Sequence, residues 1–176
     1  MRRFSLILAA IAACAAIRPA AAEIVGATPE SLKVAGSVTI HAPSSEAMAA
    51  IGRIGSWWNP EHSYSGAGRN LSIDLTAGGC FCEKWAGGSV EHGRVIAVMA
   101  GKLVRIQGAL GPLQQLGVQG ILDLAAREEN GATTITLTYI VNGMPGSGLD
   151  KIAPAVDGVL MNNLQRLGRL IENGAP

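Results

Sequence analysis

Aromatic and charged residues are both scarce in this sequence: Phe, Trp and Tyr make up 4% of its 176 residues, and charged residues make up 15%. No run of Lys and Arg occurs, and the formal net charge is only +1. Because proteins that bind nucleic acids neutralise phosphates with clustered basic side chains, this composition argues against nucleic acid as a partner. The 23 glycines indicate a sheet protein with many turns and an aliphatic interior.

Motifs that carry known chemistry are missing as well. The sequence has no His-x-His, His-Glu-x-x-His or Cys-x-x-Cys spacing, so we expect no metal site. It has no Gly-x-Ser-x-Gly, Walker or dinucleotide-binding signature either, so we expect no cofactor that carries phosphate, and none of any other kind is indicated. No catalytic residue can be assigned from these patterns, and a binding protein is favoured over an enzyme.

The N-terminus has the three-part layout of a secretion signal. A basic start is followed by the apolar run Phe4–Ile17, whose 14 residues fall short of the roughly 20 that a membrane-spanning helix needs. Ala20–Ala22 then forms a cleavage site of small residues. We therefore predict a signal peptide at residues 1–22, a single mature domain at residues 23–176, and a periplasmic or secreted location.

Cys14 leaves a second reading of the N-terminus open. With the three residues before it, Cys14 resembles the lipobox of bacterial lipoproteins, in which the cysteine is lipidated and becomes the new N-terminus. That processing would tether the domain to a membrane as an anchored lipoprotein, whereas cleavage after Ala22 would release it. Mass spectrometry of the mature N-terminus distinguishes the two.

The 154 residues after the predicted signal fit one domain, whose core is large enough to be stable without a disulfide or a structural metal. Loss of Arg2, Arg3 and Arg18 with the signal leaves 11 basic against 13 acidic residues, a net charge of −2. The sequence contains no internal repeat, and it does not fix the oligomeric state.

Alternating apolar and polar residues predict an antiparallel sheet over most of the domain. Glycine-rich turns separate the strand-like segments, and Asn130-Gly131 is a strong hairpin signal. Residues 23–31 lack periodicity and are predicted to be a loose lead-in. The predicted strands are Leu32–His41, Leu71–Leu75, Cys80–Trp85, Gly88–Met99, Leu103–Gln107, Gly120–Arg127 and Ala132–Asn142.

Two helical segments complete the predicted fold. A short helix over residues 43–55 leads into Trp57 and Trp58. After a Gly-Pro linker, apolar residues recur every three or four positions from Leu149 to Ile171, which predicts one long amphipathic helix. The fold class is therefore α+β, with a curved antiparallel sheet of about six or seven strands wrapped round a long C-terminal helix.

The mature chain keeps two cysteines, Cys80 and Cys82, on one predicted strand. Residues two apart on a regular strand have Cα atoms about 6.5–7 Å apart, at the edge of what a disulfide tolerates. A bond would need a local bend at Gly78-Gly79, so we predict two free, buried thiols that pack as small apolar side chains. A nucleophilic thiol with His92 as its base is the less favoured alternative.

Four features follow one another along the chain: Val38-Thr39-Ile40 with Pro43, Trp57-Trp58, Gly78-Gly79-Cys80-Phe81-Cys82-Glu83, and the amphipathic end helix. Their order resembles the START-like helix-grip superfamily (SRPBCC), also called the polyketide cyclase/dehydrase and lipid-transport group. The resemblance covers nearly all of the mature chain. It implies a sheet that grips the helix and encloses a cavity for sterols, lipids, hormones or aromatic polyketides or, in some enzymes, for catalysis. Fold alone does not fix the function.

The candidate site consists of the aromatic and polar side chains expected near such a cavity. Tryptophan offers a large apolar face with one donor. Glu83 and Arg105 are charged residues within apolar strands, and they either face inward, where they orient a polar ligand group or pair with each other, or point to water. His62, beside Glu61, is a candidate base or else part of a solvated loop. The predicted ligand-binding residues are Trp57, Trp58, Tyr64, Cys82, Glu83, Trp85, Arg105, Tyr139, Val156 and Leu160.

Three functions fit these observations. The leading hypothesis is an exported binding protein for a small hydrophobic or amphipathic molecule, held between the sheet and the C-terminal helix by apolar burial. The second is a polyketide cyclase- or dehydratase-like enzyme, in which Glu83, His62 or His92 would have a shifted pKa within the same cavity. The third is a cell-envelope accessory protein that binds its partner through an exposed apolar patch.

Overall fold

The computed structural model of the protein describes residues 22–176. Cys14 and all but the last residue of the predicted signal peptide come before residue 22, so both interpretations of the N-terminus lie outside the described part and stay predictions. No helix within the described part is long and apolar enough to cross a membrane.

Eight antiparallel strands form one sheet in the order β1-β2-β8-β7-β6-β5-β4-β3. The seven predicted strands are confirmed to within a few residues. Register shifts in the β1–β2, β4–β5 and β5–β6 pairs mark β-bulges, which bend and twist a strand. The strands are β1 (Ala22–Thr28), β2 (Ser31–Ile40), β3 (Leu71–Ile73), β4 (Cys80–Trp85), β5 (Gly88–Met99), β6 (Leu103–Gln107), β7 (Gln119–Glu129) and β8 (Ala132–Asn142).

The additional strand is β1, where the sequence predicts a loose lead-in. That prediction is wrong, because the segment pairs with β2 from Ala22 to Thr28 as the edge of the sheet. Its register shifts between Ile24 and Gly26, which breaks the alternation that identifies a strand in the sequence. Pro29 lies in the turn that follows the strand, so its missing N–H costs the sheet nothing.

The faces of the central strands follow their sequence pattern. On β8, Ile135, Leu137, Tyr139 and Val141 are buried, while the threonines between them are more exposed, as predicted. The same alternation buries Leu32, Val34, Val38 and Ile40 on β2. Burying each such side chain stabilises the fold by about 1.5–3 kcal/mol.

The long C-terminal helix is confirmed as α3 (Leu149–Asn173), which packs its apolar face on β1 and β2. It ends at Gly174, whose positive φ of 74° suits a residue without a Cβ. A Cβ at Gly168 would lie 2.7 Å from Cγ2 of Val38, so this glycine allows the helix to approach β2 closely. The predicted short helix is divided at Arg53 into α1 (Ser44–Gly52) and α2 (Ile54–Trp57).

Cys80 and Cys82 form a disulfide, with their Cα atoms 5.4 Å apart. The prediction of two free, buried thiols is therefore wrong. A β-bulge lies beside the bond: Phe81 pairs with Gly93 and Cys82 pairs with Glu91, so His92 is an extra residue in β5. The Cα separation of 5.4 Å is shorter than the roughly 6.5–7 Å of a regular strand, and it allows the two sulfurs to bond.

Candidate functional site

A cavity of about 380 Å³ lies between the first half of α3 and the sheet. Its helical wall is aliphatic, and the opposite wall carries aromatic rings and one imidazole. Two loops, around residues 61–64 and 110–115, complete its rim. The lining on the helix consists of Ile152, Ala155, Val156, Val159 and Leu160, and that on the sheet and the preceding loops includes Trp58, Tyr64, His92, Leu113 and Tyr139.

Five of the ten predicted site residues line this cavity: Trp58, Tyr64, Tyr139, Val156 and Leu160. The indole N–H of Trp58 donates to the His62 carbonyl at 2.9 Å, which leaves the face of the ring as its apolar contribution. The Tyr64 hydroxyl lies 3.2 Å from the Gly111 carbonyl and so joins the two rim loops. That these residues contact a ligand stays a prediction.

The other five predicted residues lie elsewhere. Trp57 is buried in the core, where its indole N–H donates to Ala50 at 3.0 Å. Trp85 is half-buried at the end of β4, beside Gly88. Since Phe81 and Glu83 face inward, Cys82 between them lies on the outer face of the sheet.

Arg105 also lies on the outer face, between the buried residues Val104 and Ile106. Its guanidinium donates two hydrogen bonds of 2.7 Å to Asp123 on β7. It therefore pairs with a cross-strand carboxylate and does not reach the cavity, which is the alternative that the sequence left open for this residue.

Glu83 is fully buried directly behind the cavity wall. Its carboxylate accepts hydrogen bonds from the backbone N–H groups of Tyr64 at 3.0 Å and Ser65 at 2.6 Å. It also lies 3.1 Å from Nε2 of His92, which lines the cavity and is itself buried. Glu83 thus holds both the rim loop and the imidazole in place.

The charge states of this pair follow from its contacts. Burial raises the pKa of Glu83, but the hydrogen bonds from Ser65, Tyr64 and His92 together outweigh it and hold the pKa below its usual value. Burial lowers the pKa of His92, and the neighbouring carboxylate only partly offsets that shift. At neutral pH the pair is therefore a carboxylate beside a neutral imidazole.

This assignment fixes the tautomer of His92. An ionised carboxylate only accepts hydrogen bonds, so Nε2 must carry the proton and Nδ1 must present a lone pair. Among the described residues, Glu83 is the only hydrogen-bond partner of the His92 ring, and that bond uses Nε2. The ring is held by Phe81 and Tyr64, whose centroids are 4.9 Å and 5.8 Å from it. His92, which lines the cavity, therefore has one ring nitrogen that can accept a hydrogen bond.

Tyr139 presents its ring to the cavity while its hydroxyl is fully engaged. The hydroxyl donates to the Gly108 carbonyl at 2.9 Å and accepts from the Leu110 N–H at 3.0 Å. Burial raises the pKa of Tyr139 to about 12, despite the hydrogen bond from Leu110. A Cβ at Gly120 would lie 2.6 Å from this hydroxyl, so the glycine is needed for the fit. Tyr139 therefore positions the rim loop and does not supply a proton.

His62 is exposed at the rim of the cavity. No hydrogen bond or ion pair joins its side chain to Glu61 in the part of the chain that the structure describes, so the proposed His–carboxylate base is not formed there. The pair that does form is Glu83–His92.

The sequence indicates His92 as a possible base for a cysteine and, with Glu83 and His62, as a possible titrating residue of an enzyme, but it does not predict that His92 contacts Glu83. The register explains the omission: Glu83 pairs with Val90 across the β4–β5 hairpin, so His92 is two residues further along its strand. One signal in the sequence could have identified the pair: in a predicted hairpin, a histidine lies two residues beyond the position opposite a glutamate within an apolar strand, and such diagonal neighbours are within reach of each other.

No protein-family model and no curated protein sequence matches the chain. Solved structures match it in fold. CalU16 from Micromonospora echinospora has a TM-score of 0.55 and 17% identity, covering 88% of this chain and 86% of that protein. DynU16, from the dynemicin biosynthetic locus, has a TM-score of 0.59 and 19% identity, covering 82% of this chain and 48% of that protein.

A point mutant of norcoclaurine synthase from Thalictrum has a TM-score of 0.54 and 13% identity, covering 80% of this chain and 94% of the synthase. That structure is a complex with a transition-state analogue. At such low identities, the three similarities show the fold and nothing further about this chain.

Proposed function

We propose, from the START-like helix-grip fold of this chain and the cavity that it encloses, that the protein binds a small amphipathic molecule with an apolar body and one hydrogen-bond donor. The observation that carries the proposal is the position of His92 in a mostly apolar lining, with its Nε2 on Glu83 and no hydrogen bond formed to its Nδ1 among the described residues. Binding would be driven by apolar burial and oriented by this one polar contact.

The size of the cavity supports a compact ligand. Its volume of about 380 Å³ is near the lower end of the range of roughly 300–1,000 Å³ that is usual for small-molecule sites. We therefore favour a molecule of one or two fused rings over a long-chain lipid. The norcoclaurine synthase complex supports the use of this fold for a small molecule, since that protein was solved with a transition-state analogue.

The charge of the wall favours ligands with a donor. Nδ1 of His92 is an acceptor, and the ionised Glu83 lies behind it, so a ligand carboxylate would meet both a lone pair and a negative charge. A hydroxyl or N–H group would instead donate to Nδ1. One such hydrogen bond contributes roughly 0.5–1.5 kcal/mol, or about two- to tenfold in affinity.

The proposal is tested by titrating the protein with a naphthol and with the corresponding methoxynaphthalene, which lacks the donor. We expect the naphthol to bind more tightly in calorimetry and native mass spectrometry. Val156→Phe, which adds bulk to the cavity, should abolish binding. Val98→Phe, a matched change at a part-exposed valine of β5, should not affect it.

Equal affinity for the two compounds would refute the role of His92. Binding that survives Val156→Phe would place the ligand outside the cavity. The binding function itself would be refuted if the protein bound neither compound and no member of a wider panel of sterols and aromatic molecules.

A second candidate is a cyclase- or dehydratase-like reaction, and the Glu83–His92 pair specifically favours it. A neutral imidazole oriented by a buried carboxylate can accept a proton from a bound substrate at Nδ1. Turnover of a bound polyketide-like substrate, lost in His92→Gln with binding retained, would distinguish the enzyme from the binding protein.

We further propose that the protein is exported, on the basis of the signal-like N-terminus alone. Mass spectrometry of the mature chain tests this: a start at Glu23 supports a released protein, a diacylated Cys14 supports an anchored one, and an intact Met1 in the cell interior refutes both.

A further inference from the structure

We propose that Cys80, Cys82 and Glu91 form a binding site for Zn²⁺ that opens when the disulfide is reduced. The two sulfurs and a carboxylate oxygen of Glu91 lie within 4.8 Å of one another. They are on the outer face of the sheet, away from the cavity, so this site does not depend on the proposed ligand-binding function.

The β-bulge at His92 brings the three groups together. Cys80 and Cys82 are two residues apart on β4 and project from the same face, and Glu91 is the cross-strand partner of Cys82. Their Cα separation of 5.4 Å leaves the two thiols adjacent after reduction. Two thiolates and a carboxylate are ligands that Zn²⁺ accepts, and three protein ligands leave one position of a tetrahedral ion for water.

The charges around these groups also suit a divalent cation. Arg94 pairs across the strands with Cys80, and it donates hydrogen bonds of 2.5 Å and 2.9 Å to the Glu91 carboxylate. Two thiolates, one carboxylate and one guanidinium sum to a charge of −2, which Zn²⁺ neutralises.

An ion can reach the site from solution. The side chains of Glu91 and Arg94 are 47% and 52% exposed, and both cysteines are only half-buried. The same exposure makes the disulfide accessible to a protein dithiol of the thioredoxin class, which is the reductant that the proposal requires.

The chemistry consists of two balanced steps. A thiolate of the reductant attacks one sulfur of the disulfide, and its second thiol then resolves the mixed disulfide; two electrons pass to Cys80–Cys82, and the reductant leaves as its own disulfide. Zn²⁺ then forms a bond to each sulfur, releasing one proton from each thiol, and a third bond to the Glu91 carboxylate.

Zn²⁺ itself is the probe for the test. The protein is reduced with a dithiol, separated from it without air, checked for its fold by circular dichroism, and titrated with Zn²⁺ against a chromophoric chelator. We expect the reduced protein to bind one ion per chain with the release of about two protons. The oxidised protein and the Cys80→Ser/Cys82→Ser variant should compete with the chelator no better than buffer.

Glu91→Gln isolates the third ligand while leaving the dithiol intact. We expect it to weaken Zn²⁺ binding by about tenfold or more, since even partners outside the coordination sphere cost roughly 10–100-fold. Glu129→Gln is the matched control, because Glu129 is also an exposed strand glutamate paired with an arginine, Arg127, and it should bind as the wild type does.

Four results would overturn the proposal, three of them from the comparison of the reduced and oxidised protein. The first is that the reduced protein binds Zn²⁺ no better than the double serine variant does. The second is that the oxidised protein binds Zn²⁺ as well as the reduced protein does. The third is that the protein loses its fold on reduction. Equal affinity in Glu91→Gln would remove Glu91 from the site and would likewise overturn the proposal as stated.

Discussion

Oε2 of Glu83 lies 3.1 Å from Nε2 of His92, and both side chains are buried beside the cavity. The remaining hydrogen bonds of Glu83 come from the backbone of the rim loop at Tyr64 and Ser65. One carboxylate therefore couples the position of that loop to the orientation of the imidazole, and this coupling is the basis of the first prediction.

Glu83→Gln should destabilise the protein and loosen the rim loop. The amide keeps one acceptor oxygen but turns an N–H group toward at least one of the donors that now face the carboxylate. An unsatisfied buried group costs about 1–3 kcal/mol, so the free energy of unfolding in denaturant should fall by that amount. The exposed Glu129→Gln should change it by less than about 0.5 kcal/mol. If both variants unfolded alike, Glu83 would not hold the loop.

Acidification should weaken the fold in two stages. Burial lowers the pKa of His92. The pKa of Glu83 is also lowered, because the hydrogen bonds that its carboxylate accepts outweigh the effect of burial. In both cases the unfolded chain holds more protons than the folded chain over the affected pH range. Stability should therefore fall as the pH drops below the ordinary value of 6.5 for His92, and again below 4.5 for Glu83.

Denaturant unfolding measured from about pH 7.5 to about pH 3 checks this order, because the second stage begins only below 4.5. His92→Gln should remove the first stage and leave the second. A free energy of unfolding that rises on acidification, or a first stage that persists in the variant, would show that His92 is not the buried neutral group described above.

Tyr139→Phe should destabilise the protein without loss of ring contact in the cavity. It removes the hydroxyl that joins Gly108 and Leu110, leaving one donor and one acceptor without their partner. The expected cost is about 1–3 kcal/mol in the free energy of unfolding.

Tyr64→Phe is the control for that change, because the Tyr64 side chain is 48% exposed and its hydroxyl contacts are 3.2 Å and 3.3 Å long. We expect it to be within about 0.5 kcal/mol of the wild type. Equal costs in the two variants would mean that the hydroxyl of Tyr139 contributes no more than an exposed one.

Two glycines of α3 should respond in opposite directions to alanine. At Gly158 a Cβ meets no atom within 4 Å, so Gly158→Ala should stabilise the helix by up to about 1 kcal/mol. At Gly168 a Cβ would lie 2.7 Å from the stiff side chain of Val38, so Gly168→Ala should lower the free energy of unfolding by about 1–3 kcal/mol. Thermal denaturation of the pair measures both, and stabilisation by Gly168→Ala would contradict the close approach of α3 to β2.

The sequence was sufficient wherever local pattern determines structure. The alternation of Ile135, Leu137, Tyr139 and Val141 with threonine identified the buried face of β8, and the spacing of apolar residues after Leu149 identified α3. Both patterns are set by the periodicity of a single element, and the rest of the fold does not alter them.

The sequence was not sufficient where pairing between strands determines structure. The bulge at His92 depends on how β5 is aligned with β4, and it sets which residues of β5 lie opposite Cys82 and Glu83. The register shift after Ile24 similarly conceals β1. Which five of the ten predicted residues face the cavity depends on the placement of α3 over the sheet, and local periodicity carries no information about that placement.

The most direct test of the proposed function is an NMR measurement of the ring nitrogens of His92 during titration with a naphthol. The account predicts that the Nδ1 resonance shifts as it accepts a hydrogen bond from the ligand, while Nε2 keeps its proton and its bond to Glu83. A naphthol that binds without any change at the His92 nitrogens, or that binds equally well when Val156→Phe fills the cavity, would contradict it.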